Sequence, residues 1–181
     1  MNLLFQMLQR YTPLFLRRRE LDNLFRLTAS AFGTDAPAGA GLSYEQRLGQ
    51  YAQFTSAGSA RSLLESDGGA AAREKLFLSG FAVGDRLRKT LGSSTSAEAS
   101  EAMRLIYRSI GIHMVCPVPG SIAVKRCFFS AYYTPETCRL ISALDDGVFA
   151  GLSGGGRLRF NERITEGADC CTAEIYRGGT L

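Results

Sequence analysis

Cysteine is absent before Cys116, and the chain carries five in all, an odd number. A disulfide framework is therefore not expected, and free thiols in a reducing cytoplasm are. No C-x-x-C pair is present. The adjacent Cys170 and Cys171 do not suit one metal ion, because neighbours on a strand face opposite ways. Histidine is almost absent too: His113 is the only one. It opens a strand-like segment, where it reads as readily as a surface or core residue as a base. No apolar run approaches the roughly 20 residues of a membrane span, and no charged and then apolar segment opens the chain as a secretory signal does. The charge excess is small, +4. Basic residues are scattered apart from Arg17-Arg18-Arg19, so no nucleic-acid stripe is expected. The glycine runs Gly39-Ala40-Gly41 and Gly154-Gly155-Gly156 lack the spacing of a phosphate loop and read as connections.

What remains is an ordinary globular composition, 45% hydrophobic and 21% charged, in 181 residues. That length suits one domain with its own core. The first part, about 1–111, reads as helices. Thr12-Pro13 resembles a helix start, and apolar residues from Leu14 to Phe32 recur at helical spacing up to Gly33. Ser43 with Gln46, and Thr95 with Glu98, are capping boxes. Between them a helix should run from about Ala70 to Leu91, with Leu76, Phe77, Phe81, Val83 and Leu87 on its apolar face and Gly92 as its stop.

From position 112 the pattern changes. Residues 112–116 and 122–130 are β-branched and aromatic around Pro117-Val118-Pro119-Gly120, a hairpin signal. Thr134-Pro135-Glu136 opens a helix over 135–152 with the stripe Cys138, Ile141, Leu144, Val148 and Leu152. Residues 157–164 alternate, with Arg157, Arg159, Asn161 and Arg163 on one side, and 170–176 form the last strand. The expected architecture is a single α+β domain: N-terminal helices, then a four-stranded antiparallel sheet of two hairpins with an intervening helix. Leu3, Leu4, Phe5, Met7 and Leu8 exceed what one helix face buries, so a homodimer through the N-terminal helices is expected.

The chemistry on offer is thiol and carboxylate. A buried small hydrophobe is the ordinary reading of a cysteine, and Cys138, on the helical stripe, is expected to be core packing. Nucleophilic use of a thiol needs a base or a positive environment. Asp145-Asp146 is the most unusual acidic pair. Asp145 lies nearer the Ile141-Leu144-Val148 face and is the better candidate for a buried, functional carboxylate.

From Lys125 to Tyr176 the chain resembles the L-2-amino-thiazoline-4-carboxylic acid hydrolase family. The resemblance rests on Arg126-Cys127 at a strand end, a following helix carrying Asp145-Asp146, a charged strand, and the turn Glu166-Gly167-Ala168-Asp169-Cys170-Cys171. It implies a hydrolase that opens a small cyclic amidine or C–N bond. Cys171 or Cys127 would attack, Asp145 would orient or protonate the ring nitrogen, and Arg126, with Asp146, would hold the substrate. Cys127 and Cys171 would then share one cavity with Asp145 or Asp146. The same segment also resembles 4-vinyl-reductase-type domains, which implies a non-catalytic binding or sensor module with an apolar pocket lined by Phe128, Phe129 and Phe149. Zinc-carrying members of that type have Glu-x-x-Cys where this chain has Glu162 and Thr165. No metal and no other cofactor is expected, and the partner is a small molecule.

Overall fold

The computed structural model describes residues 6–8 and 11–177. Residues 6–8 are helical; Leu3, Leu4 and Phe5, expected at a dimer contact, lie outside the described residues. There follow α1 (Leu14–Ala31), α2 (Tyr44–Leu63), α3 (Ala70–Leu91) and α4 (Ser96–Ser109). The sheet-bearing part comprises β1 (Ile112–Val115), β2 (Ser121–Cys127), α5 (Pro135–Ser153), β3 (Gly156–Glu162) and β4 (Cys171–Arg177). Short 3-10 turns at Phe128–Ala131 and Ile164–Glu166 sit between. This is the expected α+β arrangement.

The helix starts follow local chemistry. The Ser43 hydroxyl accepts the Gln46 N–H at 3.2 Å while the Gln46 side chain accepts the Ser43 N–H at 2.8 Å, opening α2. Thr95 and Glu98 do the same for α4. Thr134 caps α5 with Pro135 in its first turn. α1 differs from expectation: it starts at Leu14, and the Thr12 hydroxyl donates back to the Leu8 carbonyl instead of capping it.

The strand order is β1-β2-β4-β3, antiparallel throughout. Each hairpin thus pairs with the other through its second strand, which puts β2 beside β4. Val124 lies opposite Cys171 and Ile122 opposite Ala173. These four side chains, with Ile112 and Met114, form the buried face of the sheet. An irregularity in the β1–β2 ladder decides which side chains at the end of β2 reach the core. His113 is opposite Arg126, but Met114 is opposite Val124, so Lys125 is an extra residue. Such a bulge reverses the inward and outward alternation beyond it. Without it Arg126 would follow Val124 onto the core face; with it Cys127 does, opposite Ile112.

Helix α5 is the central element. Leu140, Phe149 and Leu152 are fully buried, as are most residues around its circumference. Burying each such side chain stabilises the fold by about 1.5–3 kcal/mol. Against α3 it packs backbone to backbone. Gly80 and Gly84 on α3 meet Gly147 and Gly151 on α5, and a Cβ on any of the four would overlap a carbonyl of the opposite helix. The contact face of α3 is therefore Leu76, Gly80 and Gly84, and the expected Phe77–Phe81 face is displaced: Phe81 is exposed. Small residues spaced by four permit this close approach. The other side of α5 is consequently held at a fixed depth over the sheet.

Candidate functional site

Beneath α5 lies a cavity of about 100 Å³. Its wall is mostly apolar and draws on helices, sheet and both 3-10 turns. Ile106, Ile112, Phe129, Ile141, Leu144 and Val148 supply much of it. Cys127 comes from the end of β2, Cys171 from the start of β4 and Asp145 from α5, so the three expected site residues face one space. The pairing of β2 with β4 and the Lys125 bulge bring the two thiols there.

Asp145 is the electrostatic centre. Burial pushes its carboxyl up to about 6, against the opposing pull of the Tyr107 hydroxyl and of the nearby Arg163 guanidinium, while Asp146 adds to the rise. The residue keeps part of its surface, and that part faces the cavity. Among the described residues no cation lies within ion-pair distance of it. Tyr107, Tyr51 and Tyr133 also line the wall, and burial raises all three phenols. The Tyr133 and Thr55 hydroxyls are hydrogen-bonded at 2.6 Å.

The thiols are held protonated. Burial pushes Cys127 up to about 12, although the N–H groups of Phe129 and Ser130 work against the rise. Cys171 is also raised by burial, and its sulfur accepts the Ile164 N–H at 3.3 Å. The Arg163 charge pulls Cys171 down, but burial outweighs it, and Cys127 has no cation among the causes of its shift, so neither is set up as a reactive thiolate.

Three residues are placed differently from expectation. Arg126 is exposed and does not line the cavity, because the bulge turns it to the opposite face of the sheet. Asp146 also lies outside the cavity. Its Oδ2 accepts from Arg157 Nη2 at 2.6 Å and Nε at 2.9 Å, and its Oδ1 accepts from the same Nε at 3.1 Å and from the Leu158 N–H at 2.8 Å. It therefore fastens the start of β3 to α5. Cys138 is more than core packing: it lines the cavity, and the Arg163 Nη1 points at its sulfur from 3.7 Å. Of the expected aromatic lining only Phe129 is present; Phe128 and Phe149 are not part of the wall.

Several residues in or beside the wall carry no obvious signal in the sequence. Tyr107 was legible only as an aromatic on the apolar side of α4, following Met103 at a spacing of four, although a buried phenol generally needs a polar partner. Tyr51 reaches the site from α2, far away along the chain. Arg163 belongs by alternation to the outer side of β3, but lies beyond that strand and turns inward, packing over Phe160 at 4.4 Å and donating to Ser142 Oγ at 2.9 Å.

Among the described residues no cluster of histidine, cysteine and carboxylate side chains is arranged to hold a metal ion. No helix among them is long and apolar enough to cross a membrane. No family model matches the chain, and no curated protein or solved structure matches it either.

Proposed function

We propose that this chain is a small-molecule-binding domain whose ligand occupies the cavity under α5, with a hydrogen-bond donor turned toward Asp145. The observation that carries this reading is the carboxylate itself. Asp145 is raised to about 6 by burial in a mostly apolar cavity, without an ion-pair partner among the described residues. An acid kept in such a place weakens the fold at neutral pH, and perturbed acids in clefts mark functional sites. An apolar cavity of this order suits a single ring with one polar substituent.

Thermal denaturation at pH 7.5 with phenol, benzylamine and toluene tests the reading. Phenol or benzylamine should raise the midpoint of the wild-type protein, with toluene weaker. Asp145→Leu should reverse the order. Equal responses to all three probes in both proteins would refute a role for the carboxylate.

A second reading is favoured by one observation, the convergence of Cys127, Cys171 and Asp145 on a single cavity. It supports the thiol-dependent hydrolysis of a small cyclic amidine. The protonated state of both thiols counts against it, since a nucleophile must be deprotonated before attack. Cys171→Ser separates the two readings. Loss of ring opening of 2-amino-thiazoline-4-carboxylate with intact phenol binding supports the hydrolase. No ring opening by the wild-type protein removes it.

A further inference from the structure

Flanking the cavity along α5 lies a cleft of about 490 Å³. Five arginines line it, Arg73, Arg139, Arg157, Arg159 and Arg163, against two carboxylates, Glu74 and Asp146. Resting on the cavity as a ligand site, we propose that the ligand is an amphipathic anion. Its apolar body fills the cavity, its carboxylate or phosphate lies in the arginine cleft, and Arg163 stands at the junction.

The junction is built from residues that belong to both spaces. Ser142 lines the cavity and the cleft alike. Arg163 lines the cleft, while the next two residues along the chain, Ile164 and Thr165, line the cavity. The Arg163 guanidinium donates to Ser142 Oγ and points at Cys138 Sγ, both of them cavity residues. A single side chain thus forms part of the partition between the two spaces.

Arg163 is also poorly neutralised. Its side chain is only 14% exposed, and its hydrogen-bond partners are a hydroxyl and a thiol. Its ion-pair partner among the described residues, Glu166, stands off at 3.7 Å and is shared with Arg139, which it meets at 2.9 Å, while the Asp145 carboxyl feels its charge from beyond ion-pair distance. A largely buried guanidinium generally needs close, well-directed anionic partners, and its planar fork matches a carboxylate or phosphate. Beside it the Thr165 hydroxyl is buried with no hydrogen-bond partner. Around the cleft, Arg159 pairs with Glu174 and Arg139 with Glu166, both on exposed side chains. Such exposed pairs contribute little and exchange readily with a competing anion. The Arg157–Asp146 pair is different: it is directed through both oxygens and stays in place.

The test is calorimetric titration at pH 7.5 with three probes, phenol, 4-hydroxyphenylacetate and phenyl phosphate. They are applied to the wild-type protein, to Arg163→Gln and to the double variant Arg73→Gln with Arg159→Gln. The second variant keeps the test valid if the first fails to fold. One or both anions should bind the wild type at least about 10-fold tighter than phenol, as expected of charge-assisted hydrogen bonds. The stronger of the two identifies the anionic group. The ratio of anion to phenol affinity should collapse toward one in Arg163→Gln and fall in the double variant. Phenol binding without any advantage for the anions overturns this inference and leaves the cavity reading standing. An advantage that survives in both variants overturns it as well. Failure of all three probes to bind overturns both readings.

Discussion

Replacing Asp145 by asparagine should stabilise the protein at neutral pH. In an unfolded chain an aspartate titrates near 3.8; in the folded protein burial pushes Asp145 to about 6. Between those values the native state keeps a proton that the unfolded state releases. The contribution to stability is therefore fully present below about pH 4 and is lost as pH rises through about 6. The gap of about 2 pH units corresponds to about 3 kcal/mol. Asparagine is neutral at every pH and nearly the same size, and its amide oxygen can face the Tyr107 hydroxyl as the carboxylate does. Urea denaturation followed by circular dichroism at pH 4, 5, 6, 7 and 8 measures the difference between the two proteins. The asparagine variant should gain on the wild type steadily from pH 4 to 7 and level off at roughly 2–3 kcal/mol. A difference that does not change with pH would refute the reasoning. So would an asparagine variant that is less stable than the wild type at pH 8.

The same geometry sets other expectations. Gly147→Ala should cost roughly 3 kcal/mol or prevent folding, because its new methyl would meet the Phe77 carbonyl on α3; urea denaturation measures it. Arg126→Ala should leave stability within about 0.5 kcal/mol of the wild type and leave phenol binding unchanged, since the residue is exposed and away from the cavity. Asp146→Ala should cost roughly 2 kcal/mol, for it strands the Arg157 guanidinium and the Leu158 N–H, with no change in phenol affinity in those molecules that remain folded. Iodoacetamide at pH 7.5, read by peptide mass spectrometry, should label Cys116 well before Cys127 or Cys171, because burial raises all three thiols but only Cys116 is exposed to the reagent.

The parts of the fold that were legible in the sequence are those set by near neighbours. Ser43 with Gln46, Thr95 with Glu98 and Thr134-Pro135 announce their helices because each cap is made within four residues. The four strands and the helix between the hairpins were legible from alternation and from turn residues. The convergence of Cys127 and Cys171 with Asp145 or Asp146 was expected only from the family resemblance; the pairing of β2 with β4 supplies its geometry. The bulge at Lys125 was not legible, since it depends on how β1 and β2 pair, and it alone exchanges the roles of Arg126 and Cys127. The spacing Gly80-x-x-x-Gly84 and Gly147-x-x-x-Gly151 was present in the sequence, but it acquires meaning only when the two helices face each other. The place of Arg163 was not legible for a related reason: alternation assigns it to the outer face, and the chain turns inward after β3.

The central claim, that the space under α5 is a ligand site organised by Asp145, is tested most directly by anomalous diffraction from crystals soaked in 4-bromophenol. A bromine peak should appear inside the cavity, among Ile141, Val148 and Phe129, with the phenol hydroxyl turned toward the Asp145 carboxylate. Bromine confined to the outer surface, with the cavity empty at a concentration that shifts the denaturation midpoint in solution, would contradict it.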